Sequence, residues 1–190
     1  MSNEKDVFEW RRFGHWSTSA SKARFSAFLL WTLRGESRIR EMAARCSHQG
    51  DDADLAVLEA FRRESAVALE LVVKAVISDG LQATGADPAT EGIPLTHDMP
   101  KLWRDAGLPE LPRDDLYRLQ MAKSVLMWSG RYPTPRTVKA WEEETKAFDA
   151  LEDTTSETSR FTLRTPIRFG WDEFDRLYQL AALRLRRTHG

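Results

Sequence analysis

Phe61-Arg62-Arg63-Glu64-Ser65-Ala66-Val67-Ala68-Leu69-Glu70-Leu71-Val72-Val73-Lys74-Ala75-Val76-Ile77 is the centre of a longer stretch, Asp51 to Gly80, that decides the fold. Leu55, Leu58, Ser65, Leu69, Val72, Val73 and Val76 fall on one stripe at helical spacing, flanked by Phe61 and Ile77. That is the period of a helix and not the alternation of a strand. Asp51, Asp52 and Asp54 suit the positive end of a helix dipole, and Gly80 suits a helix stop. Val72 and Val73 are weak helix formers, so burial must hold this half helical. From Val67 to Ile77 the apolar residues cover most of the circumference, which predicts a helix with neighbours on several sides. Glu70 and Lys74, one turn apart, are the charges of that half and can pair.

The flanking sequence continues the helical period. A helix is expected from the caps Ser17, Thr18 and Ser19 to about Cys46, with Phe25, Phe28, Leu29, Leu33, Ile39, Met42 and Ala43 on one face. Its other side carries Arg34, Arg38, Arg40 and Arg45, either a solvated face or a phosphate-binding one. The short link to the central helix favours an antiparallel hairpin. A long loop follows over Leu81 to Leu95. A short helix capped by Thr96 and closed by Gly107 comes next, then one begun by Asp114 and Asp115 with Leu116, Leu119, Ala122, Val125 and Leu126 inward. Ser129 to Arg136 forms an ordered loop. A further helix turns Val138, Trp141, Phe148 and Leu151 inward and Glu142 to Glu144 outward. The last, from Trp171 to about Arg187, packs through Phe174, Leu177, Tyr178, Ala181 and Leu185. Ahead of all this lies an aromatic arm, Phe8, Trp10, Phe13 and Trp16. The expectation is an all-α bundle of five or six helices in a single domain spanning 1–190, with the arm at 1–16 and an exposed loop at 153–170. Within that loop Phe161-Thr162-Leu163 could form a short extended piece.

At 190 residues the chain is long enough to bury a real core. Its net charge of −1 gives no global attraction to nucleic acid, so such binding needs a local patch. The single cysteine, Cys46, rules out an internal disulfide and suits a reducing cytoplasm. The polar start, Met1 to Asp6, is unlike a secretory signal, and the apolar run Phe25 to Leu33 is too short to span a membrane. His15, His48, His97 and His189 form no ligand pair, so no metal and no cofactor is expected. Phosphate loops and nucleophile elbows are missing from the sequence.

Two short stretches stand out: Leu95-Thr96-His97-Asp98-Met99-Pro100-Lys101-Leu102-Trp103, and Gly130-Arg131-Tyr132-Pro133. Preceded by the Leu71-Val72-Val73-Lys74-Ala75 core, they make the chain resemble the HEPN domains over roughly Leu55 to Arg136. The resemblance implies a HEPN-like helical bundle with a four- or five-helix core, frequent homodimers, and work on RNA or nucleotides. Many members are metal-independent ribonucleases of prokaryotic toxin–antitoxin or defence systems. Others are non-catalytic partners of small nucleotidyltransferases. Ribonuclease members carry Arg, four to six residues, then His, with a polar residue after the Arg. The matching stretch here is Arg184-Leu185-Arg186-Arg187-Thr188-His189, with Leu185 at the usually polar position. The resemblance therefore implies an RNA- or nucleotide-binding homodimer whose ribonuclease motif is lost or displaced, with a nucleotidyltransferase or antitoxin as possible partner. Alternatives are an active ribonuclease using Arg184 and His189, and a module that binds proteins through the arm and the acidic helix.

His97 has two readings. It is a structural imidazole bonded to backbone or a carboxylate, or it joins Lys101 and Arg131 around an anionic ligand with Tyr132 stacking on a base. Arg131 could equally pair with Asp98, and Tyr132 pack on the bundle. Lys74 is the residue of the central helix placed to reach a ligand.

Overall fold

The computed structural model describes residues 13–35, 37–48, 53–86, 92–129, 137–151 and 167–189, with the side chains of 13, 37, 38, 129 and 186–189 left out. Among them are seven α-helices and no strand: α1 (Phe13–Leu33), α2 (Ser37–Arg45), α3 (Ala53–Ala83), α4 (Met99–Asp105), α5 (Arg113–Ser124), α6 (Val138–Asp149) and α7 (Trp171–His189). A π-helical turn, Val125–Ser129, extends α5. The all-helical expectation holds. Phe8, Trp10, Asp51, Asp52, Arg131, Tyr132 and Phe161 to Leu163 lie outside the described residues.

The centre is α3, as its pattern predicts. Phe61, Leu69, Val72 and Val73 are fully or almost fully buried. At 31 residues it is about 46 Å long. It passes through Gly80 instead of stopping there, despite the cost of about 1 kcal/mol of a glycine within a helix. It ends a turn later, where the Gly85 and Ala86 N–H groups each donate 3.0 Å bonds to the Gln82 and Leu81 carbonyls.

The long first helix expected from Ser17 to Cys46 is two helices, starting earlier and broken in the middle. Ser17, Thr18 and Ser19 lie inside α1, and the Ser17 hydroxyl donates to the Gly14 carbonyl. The break comes at Gly35, whose φ of +76° a side chain would oppose. Its N–H donates to Asp54 Oδ1 at 3.0 Å, tying the break to the start of α3. This also divides the expected basic face. Arg34 lies over the Trp31 ring, while Arg40 and Arg45 are exposed on α2.

The antiparallel hairpin is present between α1 and α3. Trp16 sits by Lys74, and Trp31 by Phe61 with ring centroids 4.9 Å apart, so the chain directions oppose. The buried face of α1 is not the expected one. Ala20, Ala23 and Ala27 face the core, while Phe25 is 62 % exposed and Leu29 45 %. Small side chains let the two backbones approach, and dense packing against the bulky surface of α3 favours that stripe over the larger one.

Helix α7 closes the core through Phe174, Leu177, Tyr178 and Ala181, as expected. Phe174 meets Phe61 edge-on at 6.2 Å, and Arg24 bonds Asp175 at 2.6 Å with its guanidinium over the Trp171 and Tyr178 rings. The end of the expected exposed loop belongs to the core, since Phe169 is buried. At Gly170 an added Cβ would lie 2.9 Å from the Trp31 ring, so close approach requires glycine there.

Helix α6 also departs from expectation. Val138 and Trp141 are 75 % and 60 % exposed, and no described residue of the helix is fully buried. Phe148 does pack, against Tyr117 at 5.0 Å. The apolar face of α6 has too few partners in α5 to cover both ends.

Candidate functional site

Glu70 and Lys74 lie on the same face of α3, and both are buried. Lys74 Nζ is 2.5 Å from Glu70 Oε1 and also lies under the Trp16 ring, 5.7 Å from its centre. An ion pair this deep needs further hydrogen bonds to offset desolvation. His97 supplies one from the segment before α4. Its Nδ1 is 3.1 Å from both Glu70 oxygens. A carboxylate only accepts, so Nδ1 carries the hydrogen and Nε2 is left as the outward nitrogen. The His97 side chain is 50 % exposed, against 10 % for that of Glu70. The result is an imidazole held rigidly from inside and open on its far side.

The segment carrying His97 is fixed at several points. The Asp98 N–H donates to Thr96 Oγ1. Asp98 Oδ1 accepts from the Lys101 N–H at 3.0 Å, and Oδ2 from Lys123 Nζ at 2.8 Å. Asp98, and not Thr96, is therefore the cap of α4. Thr96 braces the cap from behind. Asp98 has its acid on Lys123 of α5, the role the sequence offered to Arg131. Lys101 Nζ pairs with Asp105 at 2.8 Å on the surface.

Burial pushes the Asp98 carboxyl up, but the Lys123 hydrogen bond, the Lys101 N–H and the charges of Lys123 and Arg104 outweigh it and hold it below its ordinary 3.8. Asp98→Ala should cost about 1 kcal/mol at neutral pH, as for other lost caps. A carboxyl with a lowered folded pKa contributes fully above its ordinary range, and loses that contribution as the pH falls through the folded value. Urea unfolding curves of wild type and variant should thus be separated at neutral pH and converge in acid.

Charge bookkeeping in the cluster is simple. Lys74 is matched by Glu70, Lys123 by Asp98 and Lys101 by Asp105. His97 shares a carboxylate already matched by Lys74. The structure thus brings His97 and Lys74 together through Glu70, and joins Lys101 to the same capped segment. Arg184 is exposed on α7, and positions 184 and 189 are five apart on that continuous helix, about 140° around its axis. The His189 side chain lies outside the described set.

Sequence reasoning did not single out Glu70 as the partner of His97, 27 residues away, nor Lys123 or Trp16. The available signal was a carboxylate in the largely apolar second half of α3, where a buried charge needs partners. A second polar cluster was also missed: Asp115, buried, accepts from both Arg118 and Arg176. A groove of about 210 Å³ lies between α5 with its π-helical turn and α6, beside Lys123.

Among the described residues no three His, Cys, Asp or Glu side chains are grouped to hold a metal ion. No described helix is long and apolar enough to cross a membrane. Comparison with protein-family models, with curated proteins and with solved structures finds no match to this chain.

Proposed function

We propose that the chain is a HEPN-like cytoplasmic domain that binds RNA or a nucleotide at His97, as a homodimer within a prokaryotic toxin–antitoxin or defence module. The observation that supports binding is the clamped, half-exposed imidazole of His97, backed by buried Glu70. Protonated, it offers Nε2–H to a phosphate oxygen as a charge-assisted donor. Lys101 and Lys123 lie one helix turn and one ion pair away, where a second phosphate could compete for them. The short phosphate-facing set suits weak, salt-sensitive binding. In this reading Arg184 and His189 are dispensable, consistent with a displaced ribonuclease motif. Arg131 and Tyr132 remain candidate partners for phosphate and base.

The test is a titration of labelled single-stranded RNA and of a nucleoside triphosphate at low salt. Affinity should fall linearly on logarithmic axes as salt rises. His97→Gln should weaken binding about tenfold, or about 1.4 kcal/mol. Absence of binding at low salt, or equal binding by the variant, would sink this reading. Cleavage of the RNA in EDTA by wild type but not by His189→Ala would instead establish catalysis at Arg184 and His189.

A further inference from the structure

His15 and His48 are exposed on the surface, whereas the ring of His97 is held from behind. Its Nδ1 lies 3.1 Å from each oxygen of buried Glu70. With the ring hydrogen on Nδ1, the free lone pair is that of Nε2, and the half-exposed side chain opens it to solvent. A lone pair on a ring that a third group orients is the arrangement of a nucleophile. A carboxylate at the opposite nitrogen also raises the basicity of the ring.

The charges around the ring select the electrophile. Glu70 is matched by Lys74 at 2.5 Å, so its charge does not repel an anion approaching Nε2. Asp98, next in the chain, holds Lys123 Nζ at 2.8 Å and caps the helix turn that carries Lys101. The Lys123 side chain is 32 % exposed and that of Lys101 54 %. Ion pairs this exposed are weak, so both ammonium groups can turn to phosphoryl oxygens. A dianionic phosphoryl group gains from them, and an uncharged acyl or alkyl group does not.

We propose that His97 is a phosphoryl acceptor, modified at Nε2 by a donor of the phosphoramidate class, in which phosphorus is bonded to nitrogen. The Nε2 lone pair attacks phosphorus, the phosphorus–nitrogen bond of the donor breaks, and ammonia leaves with that electron pair. The ring keeps its Nδ1 hydrogen and becomes a cation, which the Glu70 carboxylate stabilises from behind. The added charge then occupies the face that would meet an RNA phosphate, so the modified chain repels RNA. This inference goes beyond RNA binding and rests on the clamp of His97 alone.

Phosphoramidate itself is the probe, added to the whole chain and followed by phosphorus NMR and mass spectrometry. His97 should gain one phosphoryl group, as the Nε2 isomer, at least about tenfold faster than His48 in the same molecule. His97→Gln should abolish that signal. Glu70→Leu/Lys74→Met keeps the imidazole but removes the carboxylate, and should slow the reaction about tenfold, with circular dichroism checking that the helices are intact. Modification at Nδ1, equal rates at His97 and His48, an undiminished rate in the double variant, or no reaction at His97 would each overturn the proposal. RNA binding is measured on the unmodified chain, so its absence sinks the reading above and leaves this one to stand or fall on the phosphoryl signal.

Discussion

Glu70→Leu is expected to destabilise the fold by about 3–5 kcal/mol, because it strands the buried Lys74 ammonium without its carboxylate. Urea unfolding gives the measurement, read as a fall in midpoint at constant slope. The further change Lys74→Met should return most of the loss, since a buried ion pair replaced by apolar side chains of similar volume is often neutral or better. This double variant separates stability from function. Its core is intact, yet His97 has lost the carboxylate that fixes Nδ1. RNA binding should then fall about as far as in His97→Gln, roughly tenfold. Wild-type affinity in the double variant would show that the clamp is structural alone. A single variant costing under about 1 kcal/mol would show that the pair is not desolvated.

Asp115→Ala should have the next largest effect, about 3 kcal/mol. The Asp115 carboxylate is 1 % exposed, and its Oδ1 accepts from Arg118 Nη1 at 2.8 Å and from Arg176 Nη2 at 2.5 Å. Arg118 also donates through Nε to the Arg168 carbonyl, so one carboxylate ties α5 to the approach and the first turns of α7. The hydrogen bond to Asp115 raises the Arg176 pKa against the opposing effect of burial. Without Asp115 the Arg118 guanidinium, 12 % exposed, is left uncompensated. The cost sits at the low end of the range for a broken buried pair because Arg176 is 48 % exposed and can turn to water. Asp115→Asn keeps an acceptor at Oδ1 and should cost clearly less. Equal losses for the two variants would contradict the role assigned to the charge.

Much of the fold is legible in the chain because its signals are local. The apolar circumference of Val67 to Ile77, the stripe Phe174, Leu177, Tyr178 and Ala181, and the pair Glu70 and Lys74 all lie within a turn or two of one another. Helical geometry alone then places them. The break at Gly35 was equally local but easily passed over, since a glycine does not state whether it interrupts a helix or rides within one, as Gly80 does. Packing against a neighbour decides between the two.

The candidate site was legible in part. His97 and Lys101 stand out by their short motif, and a bond from His97 to a carboxylate was one of two readings open to it. That the carboxylate is Glu70 could not be read, because a contact across 27 residues depends on how α3 meets the segment before α4. The same holds for Lys123 taking Asp98.

By itself, then, the sequence determined the helical class, the central place of α3, the buried face of α7 and the residues rich enough in chemistry to form a site. Tertiary structure alone decided that α1 buries alanines and exposes Phe25, that α6 leaves Trp141 outside, and that Glu70 holds both Lys74 and His97. The physical reason is one of range. Backbone hydrogen bonds and helical periodicity act between near neighbours, whereas close packing and the pairing of buried charge are settled between surfaces that meet only when the chain has folded.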